Sequence, residues 1–203
     1  MVKLSVGKNV FFVITKINTD EEGLIKIIDN EEVIKRISLC KSKKRRLEIL
    51  NSHYIIYKTL GKKYFYVYDQ ENKPFIPNVG KISISHTDNY IAVMFGYDKS
   101  VGIDIEENDR DFTRAAIKFL NEKEKEWAKT NDYFRALWCG KEATFKFISS
   151  PKYSFSKYYI ANPFDLYKNN FFIINVLEPL QTVKLSFLNY DDYFLTWCFE
   201  DTN

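Results

Sequence analysis

Two kinds of apolar pattern alternate along this chain, and their alternation restricts its fold more than any other feature. Residues 9–17 (NVFFVITKI) are β-branched and aromatic, as in a strand, and 64–68, 81–85, 90–95 and 101–106 read the same way. The link His86-Thr87-Asp88-Asn89 makes 81–95 a hairpin. Elsewhere apolar residues recur at helical spacing. Residues 20–36 suit a short helix or helix pair. Leu47, Leu50, Tyr54 and Tyr57 mark a helix from Ser42 that Gly61 stops, and 112–129 and 133–148 read as two more. Strand-like runs return at 158–161, 171–177, 182–187 and 194–199. Strands and helices occur in both halves with no Pro- or Ser-rich linker between them. The expected class is α+β, two intimately packed halves divided as residues 1–98 and 99–203.

Glycine is scarce where phosphate-cradling loops need it. The 203 residues include 14 Tyr, 17 Phe and 3 Trp but only 7 Gly and 5 Pro. A P-loop or a dinucleotide fingerprint gathers several glycines in one turn so that backbone amides approach a phosphate closely. The Gly-Lys pairs at Gly7, Gly61, Gly80 and Gly140 are followed by Asn9, Lys63, Ile82 and Glu142, not by Ser or Thr. Neither loop is present, so a phosphorylated ligand would be held by side chains and a metal ion.

A net charge of +3, from 30 basic and 27 acidic residues, is too balanced for a general nucleic-acid binder. The charge is unevenly spread. Lys35 to Arg46 contains seven basic residues and no acid, whereas Asp98 to Asp111 contains six acids against Lys99 and Arg110. The basic cluster enters a predicted helix, whose N-terminus already favours anions. Cys40, Cys139 and Cys198 form no CxxC pair and suit reduced thiols. The apolar run 10–14 is too short for a signal-peptide core or a membrane span. A cytoplasmic protein without a membrane anchor is expected.

Three constellations could carry chemistry. In Gly102-Ile103-Asp104-Ile105-Glu106 a strand would put Asp104 and Glu106 on one face, their Cα atoms about 7 Å apart, with Ile103 and Ile105 behind. Two such carboxylates suit a cation between them, or else a half-buried edge strand with solvated acids. In the helix 133–148, Phe134, Leu137, Trp138, Phe145 and Ile148 form an apolar stripe with Lys141 in its middle and Glu142 and Lys146 at its border. An i,i+4 ion pair with Lys141 snorkelling is the structural alternative. In Ile82-Ser83-Ile84-Ser85-His86 a strand delivers a hydroxyl and a histidine to a turn; a lone histidine is more often packed or solvated than functional, and that is the structural alternative. No Cys or His stands near it for a zinc site, and no GxSxG elbow supports a serine hydrolase.

In their order and spacing, Ser83-Ile84-Ser85-His86-Thr87, Gly102-Ile103-Asp104-Ile105-Glu106 and Trp138-Cys139-Gly140-Lys141-Glu142-Ala143-Thr144-Phe145-Lys146 resemble the three signatures of the phosphopantetheinyl transferase superfamily. In length the chain is similar to the larger, Sfp-type members, and the resemblance runs from about Lys44 to Lys146. It implies the 4′-phosphopantetheinyl transferase fold, two similar α/β halves packed as an intramolecular pseudo-dimer, and a monomer. It also implies transfer of the 4′-phosphopantetheine arm of coenzyme A to a serine of an apo acyl, peptidyl or aryl carrier protein, releasing adenosine 3′,5′-bisphosphate.

The resemblance assigns Mg²⁺, with Mn²⁺ as the alternative, to Asp104, Glu106 and Glu142. Glu142 is also the expected base, Lys146 would stabilise phosphate charge, and His86 with Ser85 would contact coenzyme A phosphates. Arg45 or Arg46 would meet the 3′-phosphate, Lys73 matches the lysine of a GKP motif, and Lys141 joins the coenzyme A set. Glu124 matches a further family glutamate, and Phe112 and Phe119 are expected on a face that docks the carrier. The chain departs from the family pattern at His53, where an arginine is usual, at Asn72, which replaces the glycine of GKP, and at 148–153, which replaces a Gly-Lys-Gly loop. His53 and the missing glycine loop leave as an alternative a weakly active or non-catalytic module that binds coenzyme A and carrier; a third reading is a different Mg²⁺-dependent enzyme, such as a nuclease, using Asp104 and Glu106 with the basic arm.

Overall fold

The computed structural model describes residues 1–148, 154–190 and 192–200, and the chain divides into two compact units, Met1–Lys99 and Ser100–Asn203. In the first unit, β1 (Val2–Gly7), β2 (Val10–Lys16), β3 (Val67–Tyr68), β4 (Pro74–Ile76), β5 (Gly80–His86) and β6 (Tyr90–Gly96) form one antiparallel sheet in the order β1-β2-β6-β5-β4-β3. Three helices follow β2: α1 (Glu21–Ile28), α2 (Glu31–Ser38) and α3 (Lys43–Leu60). The expected helix pair and hairpin are present. The 64–68 strand shrinks to two residues, and β1 and β4 were not expected.

Helix α3 is capped by the Ser42 side chain and ended by Gly61 at φ 107°, as its sequence signals predict. Its burial is broader than one stripe. Ile55 and Ile56 pack with Phe11, Val13, Ile91 and Val93 of the sheet, while Ile49 and Leu50 pack with Leu24 and Ile28 of α1 and Val33 and Ile37 of α2. A helix covered on two sides must bury polar groups as well. Asn51 meets that demand by accepting from Asn18 N and donating to Asn18 O and Leu47 O.

The second unit holds β7 (Val101–Glu107), α4 (Thr113–Phe119), α5 (Glu122–Trp127), α6 (Asn131–Ile148), α7 (Phe155–Tyr158), β8 (Tyr159–Ala161), β9 (Phe171–Leu177), β10 (Leu180–Asn189) and β11 (Tyr193–Phe199). Its strands form an antiparallel sheet in the order β7-β11-β10-β9-β8, so β7 is an edge. Each unit therefore pairs one antiparallel sheet with one 18-residue helix. The single helix expected over 112–129 is two, because Asn121 caps α5 in a reciprocal box with Glu124. The buried face of α6 is also rotated from the expected aromatic stripe. Ala136, Gly140, Ala143 and Phe147 are buried, whereas Phe134, Trp138, Phe145 and Ile148 are partly buried at its flanks. Small residues face the sheet because the helix lies very close to it: a Cβ on Gly140 would collide with the Phe172 ring. The departure at 148–153 lies, beyond Ile148, outside the described residues.

Candidate active site

The acidic site grows from one glycine. A Cβ at Gly102 would collide with the carbonyl oxygen of Ala143 and press on Phe147, so its absence lets α6 rest directly on β7. Side chains two apart on a strand share a face. Asp104 and Glu106 therefore follow Gly102 along the groove beside α6. Lys146 Nζ stands 2.6 Å from Asp104 Oδ1 and donates to Ile103 O at 3.2 Å. Trp138 Nε1 donates to Glu106 Oε1 at 2.8 Å, and Arg110 Nη1 lies 2.6 Å from Glu106 Oε2. Despite the edge position these acids are not solvated: Asp104 is 4% and Glu106 7% exposed.

Crowded buried carboxylates resist ionising. Burial and the neighbouring Asp104 push Glu106 upward, and the same two causes, with Glu106 adding to them, lift Glu142 to about 7. Burial alone would lower Lys146, but Asp104 and Glu142 outweigh it and hold the ammonium above its ordinary value. Three carboxylates within electrostatic reach of one another are a donor set that fits a hard divalent cation, which would relieve the repulsion that raises Glu142. Among the described residues no three His, Cys, Asp or Glu side chains are already gathered around one cation position. Here basic side chains, Lys146 and Arg110, hold the facing oxygens of Asp104 and Glu106. Cys139, fully buried and within reach of both acids, is pushed well above the ordinary thiol range, chiefly by burial.

Lys141, expected to contact coenzyme A, has no exposed surface. Its ammonium is 2.6 Å from Glu124 Oε2 and donates to Phe119 O at 2.8 Å and Phe155 O at 3.5 Å. Glu124 in turn accepts from Asn121 N and Ala161 N. The pair ties α5, α6 and the end of β8 together. Phe112 and Phe119 are each 1% exposed, stacked edge-on against each other and packed on Trp138, so they are core and not a docking face.

The remaining expected residues lie in the first unit. His86 sits at the end of β5, its Nε2 3.3 Å from Glu48 Oε2, and the same oxygen takes Arg45 Nη1 at 2.9 Å. Arg46 is otherwise engaged: it grips Glu21 with two nitrogens, at 2.6 and 3.3 Å, and donates to Cys40 O and Lys41 O. Of the two arginines, Arg45 keeps the more open side chain, 48% against 26% exposed. Ser85 is buried within the sheet. Lys73 closes a turn in which Asp69 Oδ1 accepts from Glu71 N and Lys73 N, and Asn72 there has φ 60°. Glycine is favoured at that angle and asparagine tolerates it, which explains the substitution. His53 is buried and stacked on Tyr66, with 4.3 Å between ring centroids.

Sequence reasoning missed Arg110 and the use of Trp138, and read Glu48 only as part of the basic-helix pattern with Arg45 and Leu50. Arg110 stands four residues from Glu106 and Trp138 opens the lysine motif, so both had a local signal. The Glu48–His86 contact spans 38 positions and had none.

Residues 100–201 match the family model of the 4′-phosphopantetheinyl transferase superfamily. The match covers the second unit and continues past Lys146 through the C-terminal strands, beyond the point where the motif resemblance ends. No curated protein matches the chain.

Proposed function

Since the chain belongs to the 4′-phosphopantetheinyl transferase superfamily, we propose that it moves the 4′-phosphopantetheine arm of coenzyme A onto a serine of an apo acyl, peptidyl or aryl carrier protein. Adenosine 3′,5′-bisphosphate is the other product. We place it with the larger, Sfp-type members, acting as a monomer in the cytoplasm. No helix among the described residues is long and apolar enough to cross a membrane.

The observation that carries this reading is the β7–α6 face, where the buried Asp104 and Glu106 act on a half-buried Glu142 and Lys146 pairs with Asp104. Transfer of this kind asks the protein chiefly for alignment and charge neutralisation. Asp104, Glu106 and Glu142 would hold Mg²⁺, which when bound neutralises charge on the pyrophosphate. Glu142, with an affinity for protons near neutrality, takes the proton of the attacking serine hydroxyl directly or through water. The serine oxygen bonds to the pantetheine-side phosphorus as the bridging oxygen leaves with the nucleotide. Lys146, held protonated, balances the negative charge that develops there. Arg45, His86, Ser85 and Lys73 are assigned to binding coenzyme A.

Intact-mass measurement of several apo carrier proteins, each incubated with the protein, coenzyme A and Mg²⁺, tests the reading. A carrier heavier by one phosphopantetheine is expected, and Glu142→Gln should abolish the gain while the protein stays folded. No gain on any carrier would overturn the proposal.

A further inference from the structure

Both oxygens of Glu106 are taken by side chains of the second unit. Trp138 of α6 donates to Oε1, and Arg110, four residues further along the chain, holds Oε2 at 2.6 Å. The two partners differ in freedom. Trp138 belongs to the helix packed on β7, with its ring against Phe112 and Phe119. Arg110 stands in the connection from β7 to α4, and its side chain is 54% exposed. The backbone of that connection is fixed. Arg135 Nη1 donates to Asn108 O, and Asn131, at the start of α6, donates to Arg110 O while accepting from Phe112 N. The guanidinium carbon rests 4.7 Å from the Phe112 ring centroid. Arg110 is thus aimed at Glu106 from an anchored loop, with its charged end open to water.

The charges of the face explain what such an arginine can do. The Arg110 charge also reaches Glu142, while Lys146 acts on Asp104 and Glu142. Lys146 is the more fixed of the two cations, 25% exposed and bonded to Ile103 O as well as to Asp104. Glu106 is buried, so taking Arg110 away by itself would strand a charge. Taking it away as another cation arrives would not. A divalent ion on Glu106 Oε2 and a guanidinium on the same oxygen would repel at close range, so each excludes the other.

We propose that Arg110 is an exchangeable counter-cation of the acidic face. It holds Glu106 Oε2 while no divalent ion is bound, gives that oxygen up when one arrives, and so lowers the affinity of the site for the ion. This rests on the assignment of Asp104, Glu106 and Glu142 to a divalent cation in the transferase reading above.

Titration of metal-free protein with Mn²⁺ alone, read by the electron paramagnetic resonance of the free ion, tests it without any transfer step. Arg110→Gln should bind Mn²⁺ about tenfold more tightly than wild type, a direction that mere damage to the site would not give. Arg110→Lys, which keeps a charge but not the planar fork, should fall between them. Arg114→Gln removes an equal charge from an exposed position on α4 and should leave affinity within about twofold. Melts give the reciprocal reading. In chelator Arg110→Gln should melt below wild type, and Mn²⁺ should raise its melting temperature by more than that of wild type. If Arg110→Gln is unfolded, tighter binding by Arg110→Lys carries the test. Equal or weaker binding in the Arg110 variants, the same tightening in Arg114→Gln, or no Mn²⁺ binding by any of the proteins would overturn the proposal. Failure of the transferase reading looks different: no carrier gains mass, while Mn²⁺ affinity still depends on Arg110.

Discussion

The Lys141 ammonium and the Glu124 carboxylate stand 2.6 Å apart with neither side chain exposed to solvent. Burial drags Lys141 below its ordinary value even with that partner present. Desolvating two charges costs several kcal/mol each, and the attraction offsets this only if both partners remain. Lys141→Met alone should therefore destabilise the protein by about 3–5 kcal/mol, because it strands the Glu124 charge. Adding Glu124→Gln, which can still accept from Ala161 N, should recover much of the loss. Urea melts of the two single variants and the double variant give the coupling; simple additivity would contradict this account.

Glu142 sets an opposite demand. Its folded value of about 7 lies above the ordinary 4.5, so the folded protein binds the extra proton. The sign follows from linkage: this contribution is full below about pH 4.5 and is lost as pH rises through about 7. In chelator-treated protein, Glu142→Gln should gain stability over wild type across that window, by roughly 3 kcal/mol in total. A flat difference between pH 4.5 and 8 would count against it. Added Mg²⁺ should release protons from wild type near pH 7 and fewer from the variant.

His53 titrates in the other direction. Its ring value falls to about 3 from 6.5, chiefly through burial, so only the unfolded chain takes up a proton between those limits. Its contribution is present above about pH 6.5 and is lost as pH falls toward 3. His53→Phe keeps a ring against Tyr66 and removes two buried nitrogens that bond to no described residue. The variant should be the more stable protein, with its advantage widening by about 1.4 kcal/mol for each pH unit below 6.5. Equal slopes of stability against pH would show that His53 is protonated in the fold.

Gly102 and Gly140 should differ in how they fail. An added methyl at Gly102 meets the Ala143 carbonyl, which is backbone, whereas at Gly140 it meets the Phe172 ring, a side chain. Gly140→Ala should cost about 1–3 kcal/mol, as overpacking does. Gly102→Ala should cost more and should also displace β7 from α6. Loss of the Lys146–Asp104 contact would appear as lost carrier modification even at temperatures where the variant remains folded. Full activity in Gly102→Ala would refute the close-packing account of the acidic face.

The sequence determined most of the local structure. Ser42 and Gly61 bounded α3, and the β-branched and aromatic runs produced the hairpin and the C-terminal strands. The period of two along Gly102-Ile103-Asp104-Ile105-Glu106 already placed both acids on one face. Those signals are local, and a chain of neighbours suffices to read them. Asn121, three residues before Glu124, was a local signal left unread, and its cap split one expected helix into two.

Tertiary structure decided how each charge is used. The apolar stripe of 133–148 pointed to Phe134 and Trp138 as the inner face, but the helix approaches the sheet through Gly140 and Ala143, because only small residues permit that separation. Lys141, in the middle of the expected stripe, is buried against Glu124, and the close approach leaves Glu142 and Lys146 beside the acids of β7. Arg45 and Arg46 are adjacent in sequence and indistinguishable there, yet one is consumed by Glu21 and the other shares Glu48 with His86. Composition and spacing state which charges a chain carries. Partners brought from 17 to 42 positions away set whether each is buried, neutralised or left for a ligand.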